Sequence, residues 1–320
     1  MCTAISVTDT DHYFGRNLDF HHAFGEEITI TPRNYEISFR NGTKIKEHYA
    51  IIGTSLVYEN YPLYFDAINE KGLGMAGLYF PGNAVYMEKK EGKNNIASFE
   101  LILWILSQCE SVSQAEKHLE NINITDEAFN NELEPSPLHW LVADSKRAIT
   151  LEQTKNGLNV YENKVGVLTN NPTFDMQMLN LTNYMKVTKE EPENNFSKLL
   201  DFEPYSRGMG GIGLPGDLSS MSRFVKASFT KLNSIFGETE NEKVHQFFHI
   251  LYSVYQQRGC VKVGEEFEIT HYTSCCNTTK GIYYYTTYNN STINCVDMHK
   301  SDLNSNTLSR FEMKRGEEFC

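Results

Sequence analysis

Met1-Cys2-Thr3-Ala4-Ile5-Ser6-Val7, a polar turn at 8–11, then Tyr13-Phe14-Gly15-Arg16-Asn17-Leu18-Asp19: this opening stretch decides how the chain is read. The run from Thr3 to Val7 predicts a strand, and the turn followed by Tyr13-Phe14-Gly15-Arg16 predicts a hairpin whose second strand ends at Arg16. Such a hairpin carries Arg16 back beside Cys2. Methionine aminopeptidase removes Met1 readily when the next side chain is as small as cysteine, so the mature chain begins with a thiol and a free α-amine. A thiol is a good nucleophile once ionised, and an α-amine with an ordinary pKa of roughly 7.7–8.0 takes its proton near neutral pH. The two form a minimal catalytic unit in which the terminal amine replaces the usual histidine. The Arg16 guanidinium would favour the thiolate, and Asp19 could hold the ammonium or orient the thiol.

Composition narrows the function. The chain has 320 residues, 40% of them hydrophobic, enough for one large core or two modest ones. Its 41 acidic and 29 basic residues give a net charge of −12, and no stretch clusters Lys and Arg with aromatics, which argues against nucleic acid as a partner. No run approaches the ~18 apolar residues of a membrane span, and the polar residues 8–12 sit where a signal peptide has its apolar region. Cysteines at 2, 109, 260, 275, 276, 295 and 320 are odd in number and lack zinc-site spacing, which predicts a reduced, cytoplasmic protein without a metal.

Strand-like alternation recurs at 27–32, 35–39, 49–54 and 66–78, the last with a turn at Glu70-Lys71-Gly72. Two helices are predicted next. Residues 97–108 are apolar nearly all round and therefore buried, and residues 111–119 open on the capping box Ser111-Val112-Ser113-Gln114. After a polar loop at 125–136, strands are predicted at 138–143, 148–152 and 158–162, helices at 217–232 and 242–256, and strands at 268–273, 281–288 and 292–297. Strand blocks enclosing helix pairs, without βαβ alternation, predict an α+β fold of antiparallel sheets covered by helices, in one domain spanning 1–320.

Three motifs are set aside on context. Gly208-Met209-Gly210-Gly211-Ile212-Gly213 matches a dinucleotide fingerprint, but no buried strand precedes it, and Pro215 follows where a helix should run. His245 and His249 lie one helical turn apart without the glutamate of a zinc motif, among Phe247, Phe248, Ile250 and Leu251, as in an ordinary packed helix. Cys275-Cys276 has no partner pair at ligand spacing and reads as strand-end packing. By contrast, Asn170 ends the apolar run 165–169 and offers the amide donor an oxyanion needs. Arg223, in an apolar helical context, calls for a specific partner.

These residues, in this order, resemble the choloylglycine hydrolase family, the N-terminal-nucleophile amidases that include bile salt hydrolase and penicillin V acylase. The blocks carrying the resemblance are collinear over almost the whole chain: residues 1–5, 14–19, 30–34, 69–77, 138–140, 166–172, 213–217, 222–224 and 280–285. The resemblance implies an αββα four-layer sandwich of two antiparallel sheets flanked by helices, and a homotetramer. It implies that Cys2 attacks an amide carbonyl while its own α-amine shuttles the proton, and that Arg16, Asp19, Asn170 and Arg223 share the active site. The backbone N–H of residue 79 would join the Asn170 side chain in the oxyanion hole, with no cofactor.

The substrate implied is a conjugated bile acid, a rigid apolar steroid joined by an amide to anionic glycine or taurine. Leu18, Tyr58, Phe65, Tyr79, Phe129, Leu133 and Leu138 match the family's steroid-binding positions. Tyr79 departs from the Asn usual in bile salt hydrolases and matches penicillin V acylases. Deacylation of penicillin V or of N-acyl homoserine lactones is therefore the alternative. A silent binder of amphipathic ligands has no need for Cys2, Arg16, Asp19, Asn170 and Arg223 together.

Overall fold

The computed structural model describes residues 1–317; Cys320 and the end of the expected 1–320 domain lie outside the described residues. The opening hairpin is present. Strand β1 (Cys2–Thr8) pairs antiparallel with β2 (His12–Phe20), which sets Cys2 opposite Leu18 and Ala4 opposite Arg16. The second strand does not end at Arg16 but continues to Phe20. Arg16, Asn17 and Asp19 are buried there, and pairing with a strand at Ile269–Asn277 carries the ladder onward. Buried polar side chains persist in a strand when they find hydrogen-bond partners, and sequence alternation alone does not reveal those partners.

The remaining major strands are β3 (Glu27–Thr31), β4 (Ile51–Tyr58), β5 (Tyr61–Asn69), β6 (Gly74–Tyr79), β7 (Leu138–Ala143), β8 (Ala148–Thr154), β9 (Gly157–Glu162), β10 (Val167–Leu168), β11 (Ile269–Asn277), β12 (Ile282–Thr287), β13 (Asn290–Asp297) and β14 (Ser309–Glu312). Among the described residues they form a six-stranded sheet, ordered β10-β1-β2-β11-β12-β13, and an eight-stranded sheet, ordered β9-β8-β7-β6-β5-β4-β3-β14. Neighbours within both are antiparallel.

Period-two alternation splits the eight-stranded sheet between two cores. Ala76, Leu78, Leu141, Ala143 and Ala148 join the core shared with the six-stranded sheet. Met75, Trp140, Val142, Ile149 and Leu151 join a second core under helices α1 (Leu101–Gln108) and α2 (Val112–Leu119). On the outer face of the first sheet lie α4 (Ser220–Asn233) and α5 (Glu240–Tyr252), while the short α3 (Phe174–Leu181) packs Phe174 against Phe224 of α4 at 6.1 Å between ring centroids. The order is helices, sheet, sheet, helices: the αββα sandwich. In α1, Leu101 to Leu106 are all buried, each contributing roughly 1.5–3 kcal/mol of apolar burial. The sheets approach closely at Gly74, where an added Cβ would lie 2.7 Å from the Phe14 ring.

Several boundaries differ from expectation. The helix expected at 97–108 begins at Leu101, because Asn94–Ala97 pairs in parallel with Ile122–Thr125 and Glu100 turns back to accept the Ala97 N–H at 3.1 Å. The polar loop expected from residue 125 therefore starts one residue later. The helix expected from Asp217 begins at Ser220, since the Asp217 carboxylate accepts the Ser219 N–H (3.0 Å) and the Ser222 hydroxyl (2.6 Å) instead of joining the helix. That expected at 242–256 runs from Glu240 to Tyr252, opened by a capping box between Thr239 and Glu242. Helix α3 was not anticipated: Met176 and Leu179 are exposed, so it lacks the apolar stripe that betrays a helix. Cys275 and Cys276 are buried at the C-terminal end of β11, just before its last residue Asn277. Gly208, at φ 81°, opens a three-residue 3-10 turn, so the glycine-rich segment is a loop. No helix among the described residues is long and apolar enough to cross a membrane.

Candidate active site

Cys2 begins β1 and is 3% exposed. Its backbone nitrogen is here the Met1–Cys2 peptide amide, standing where the α-amine of a processed chain would be, and it donates to Asn170 Oδ1 at 2.8 Å. Arg223, projecting from α4, donates through Nη2 to the same oxygen at 2.7 Å, through Nη1 to the Cys2 carbonyl and to Thr3 Oγ1 (2.7 Å), and through Nε to the Leu218 carbonyl (3.0 Å). The partners that Arg223 needed are therefore Cys2 and Thr3 together with Asn170.

Arg16 and Asp19 are fully buried beside them. Arg16 Nη1 donates to the Phe65 carbonyl (3.0 Å) and the Gly77 carbonyl (2.5 Å), and its Nη2 has no partner among the described residues. Asp19 accepts the Thr270 hydroxyl on Oδ1 at 2.6 Å, and its Oδ2 is likewise unpartnered. Unsatisfied buried atoms are costly. Leaving a guanidinium nitrogen and a carboxylate oxygen unsatisfied next to a cysteine gives a thiolate and an ammonium each a ready partner. Burial opposes the Arg16 charge, but the negative groups around it, with Cys2, Asp66 and Asp19 among them, outweigh burial and hold it above its ordinary value. Burial lowers Arg223, opposed by Asp19 and Cys2. Burial also raises Asp19, against the pull of Arg223 and the amino terminus.

Contacts of its own backbone and side chain and of the preceding Thr169 hold Asn170 in place. Its N–H donates to Ser220 Oγ (2.8 Å) at the start of α4, and its carbonyl accepts Gln177 Nε2 (3.4 Å). The preceding Thr169 is tied to the Ser220 carbonyl (3.1 Å) and to buried His139 (2.8 Å), whose ring stacks on Phe80. Its own Nδ2 donates to the Tyr79 carbonyl at 2.6 Å, leaving the second amide hydrogen free of that bond.

The register of β6 decides where the residue 79 N–H points. Phe80 donates to the Pro137 carbonyl at 2.8 Å, so Phe80 and Pro137 form a hydrogen-bonded pair, and the next pair, Tyr79 and Leu138, is a non-bonded one. Both backbone groups of Tyr79 then face away from β7, the side on which the Gly77 carbonyl meets Arg16 and the Tyr79 carbonyl meets Asn170. On that side the pairing of β6 with β5 stops at Ala76 opposite Asp66, which leaves the Tyr79 N–H without a strand partner.

Cys2 and Arg16 open into a mostly apolar cavity of about 260 Å³. Leu18, Phe65, Tyr79, Phe129, Leu133 and Leu138 all line it. Tyr58 does not; it packs edge-on against Phe129 at 5.6 Å, supporting the wall from behind. Sequence reasoning missed Phe20, Phe24, Leu56, Leu63 and Phe99, which supply much of the remaining apolar lining. An aromatic cluster at residues 20–24 was the available signal. Arg40 lies over the rings of Phe129 (5.0 Å) and Phe99 (5.8 Å), pinning the 126–136 loop to the wall.

Asp66 was also missed. Fully buried on β5, it accepts Ser274 Oγ (2.9 Å), Tyr283 Oη (2.7 Å) and Tyr272 Oη, and it contributes to the field that holds Arg16 charged. Nothing in the sequence around Asp66 separates it from a turn-proximal surface acid. Among the described residues one trio offers metal ligands, His21, His22 and Glu266, with ligand atoms within 4.8 Å of one another, and only His22 of the three lines the cavity. A thiol, an amine and oxyanion donors need no metal for acyl transfer.

The arrangement is that of an N-terminal-nucleophile amidase. The chain belongs to the choloylglycine hydrolase family of linear amide C–N hydrolases, whose model matches residues 2–311. It is 50% identical over 315 residues to a bile salt hydrolase/transferase of Lactiplantibacillus plantarum, covering 98% of this chain and 97% of that one. A crystal structure of a variant of the conjugated bile acid hydrolase from Clostridium perfringens superposes with a TM-score of 0.92 at 36% identity, covering 100% of this chain and 99% of that one. Penicillin V acylase from Agrobacterium tumefaciens shares the fold, with a TM-score of 0.78 at 18% identity, covering 98% and 91% of the two chains.

Proposed function

We propose that this chain, a single catalytic domain once Met1 is removed, hydrolyses the amide bond of glycine- or taurine-conjugated bile acids. The observation carrying this reading is the position of Cys2, at the base of an apolar cavity and within reach of Asn170, Arg223, Arg16 and Asp19. The Cys2 thiolate attacks the carbonyl carbon, and Asn170 Nδ2 with the Tyr79 N–H receives the developing oxyanion. The α-amine, having taken the thiol proton, passes it to the departing nitrogen as the C–N bond breaks, and glycine or taurine leaves. Water then attacks the thioester, gives its proton to the same amine, and releases the bile acid and the thiol.

The relatives' names support the substrate class, and an apolar trough suits a steroid. One observation favours a second reading, deacylation of penicillin V or N-acyl homoserine lactones: Tyr79 stands 37% exposed on the cavity wall, edge-on to Phe20 at 6.1 Å. Glycine release from glycocholate by ninhydrin assay, run beside phenoxyacetate release from penicillin V, separates the two. Absence of glycine release between pH 5 and 7 rejects the bile salt reading. Cys2→Ser is expected to lose most turnover, and a rate near wild type contradicts the mechanism.

A cytoplasmic location and a homotetramer belong to the same proposal. The six described cysteines are free, as a reducing compartment requires. Phe196, Leu199, Tyr205 and Ile212 are exposed along one segment, apolar surface that association with further copies would cover. Light scattering of the purified protein tests the oligomer.

A further inference from the structure

In the unprocessed chain, Met1 is held by three directional contacts. Its ammonium forms an ion pair with the carboxylate of Glu268, a residue only 5% exposed, and donates to the Asp19 carbonyl at 2.7 Å. Its carbonyl accepts the Asp19 N–H at 2.9 Å. Cleavage of Met1, which the thiol–amine mechanism demands, removes the partner of each of these groups. It leaves a buried carboxylate without its cation, which is an unfavourable state.

We propose that the slot vacated by Met1 is a subsite for a free α-amino acid in its zwitterionic form. The ligand's ammonium replaces that of Met1, on Glu268 and the Asp19 carbonyl. Its carboxylate takes the place of the Met1 carbonyl, on the Asp19 N–H. Because that carbonyl carbon is bonded to the Cys2 nitrogen in the precursor, the incoming carboxylate lies directly against the new α-ammonium and pairs with it. Met1 is thus a built-in copy of the ligand. Its side chain is 26% exposed, so the slot opens to solvent and admits a side chain as well as glycine. Occupancy ties up the amine that must serve as base, so a bound amino acid slows acyl transfer. Choosing glycine as the probe rests on the proposed function, since it is one product of that reaction; the slot itself rests only on Met1 removal.

The test is calorimetric titration, without turnover, of protein whose mass shows that Met1 is absent. Glycine is expected to bind one to one, with N-acetylglycine, lacking the ammonium, and methylamine, lacking the carboxylate, at least tenfold weaker. Protein retaining Met1, made by inhibiting methionine aminopeptidase during expression, is expected not to bind glycine, and Glu268→Gln to bind at least tenfold more weakly. Equal affinity for N-acetylglycine, or glycine binding indifferent to Met1, overturns the proposal even if Glu268→Gln fails to fold. Glycine release from glycocholate is scored separately, so loss of the subsite and loss of the hydrolase reading give different results.

Discussion

The Cys2 nitrogen and the Asn170 side-chain oxygen lie 2.8 Å apart, although 168 residues separate them in the chain. This bond fixes which way the Asn170 amide faces: with Oδ1 held by Cys2 and Arg223, Nδ2 is directed toward Tyr79. In the proposed mechanism, the nucleophile's own nitrogen thus orients the oxyanion donor. Asn170→Ala is expected to lower kcat about 10²–10³-fold, the usual effect of deleting one oxyanion donor, with KM little changed. Steady-state kinetics checks this, and a loss below threefold would remove Asn170 from the mechanism.

Asp66 is the carboxylate behind Arg16, and its three hydroxyl donors are all on β11 and β12. Asp66→Asn removes the charge and turns a donor toward those hydroxyls. A loss of about 3–5 kcal/mol in urea denaturation is expected, as when one member of a buried charged set is removed. An unchanged midpoint would show that Arg16 is balanced without it.

Stability should fall as pH rises through the weakly acidic range. Burial raises Glu100 from its ordinary 4.5 to about 7. A carboxyl raised in the folded state stays protonated there after the unfolded chain has ionised. Its stabilisation is complete below pH 4.5 and lost as pH approaches 7. For Glu100 the effect is on the order of 3 kcal/mol. Thermal melts from pH 4.5 to 8 should give a slope that Glu100→Gln reduces; parallel profiles for the two proteins would contradict the assignment.

Tyr79 contributes its backbone to the site and its ring to the cavity wall. Tyr79→Asn preserves the N–H while removing the aromatic face. The ratio of glycocholate to penicillin V turnover is expected to shift by at least fivefold toward the bile salt. An unaltered ratio shows that the ring does not choose the acyl group.

What the sequence by itself determined was local. Alternation and turn chemistry at residues 1–19 specify the hairpin and with it the meeting of Cys2 and Arg16, because strand pairing across a short turn has one favoured register. Alternation at 66–78, 138–143 and 148–152 likewise predicts strands, but the division of their two faces between two cores appears only once the sheets and helices are packed. Hidden from that reading were contacts between distant segments: Asp66 under Arg16, Glu268 on Met1, Tyr58 behind Phe129 instead of on the wall. A buried polar side chain is written in the sequence with the same letter as an exposed one. Only the tertiary fold takes Asp66 and Glu268 out of water, and desolvation is what turns an ordinary acid into a partner for Arg16 or for the amino terminus.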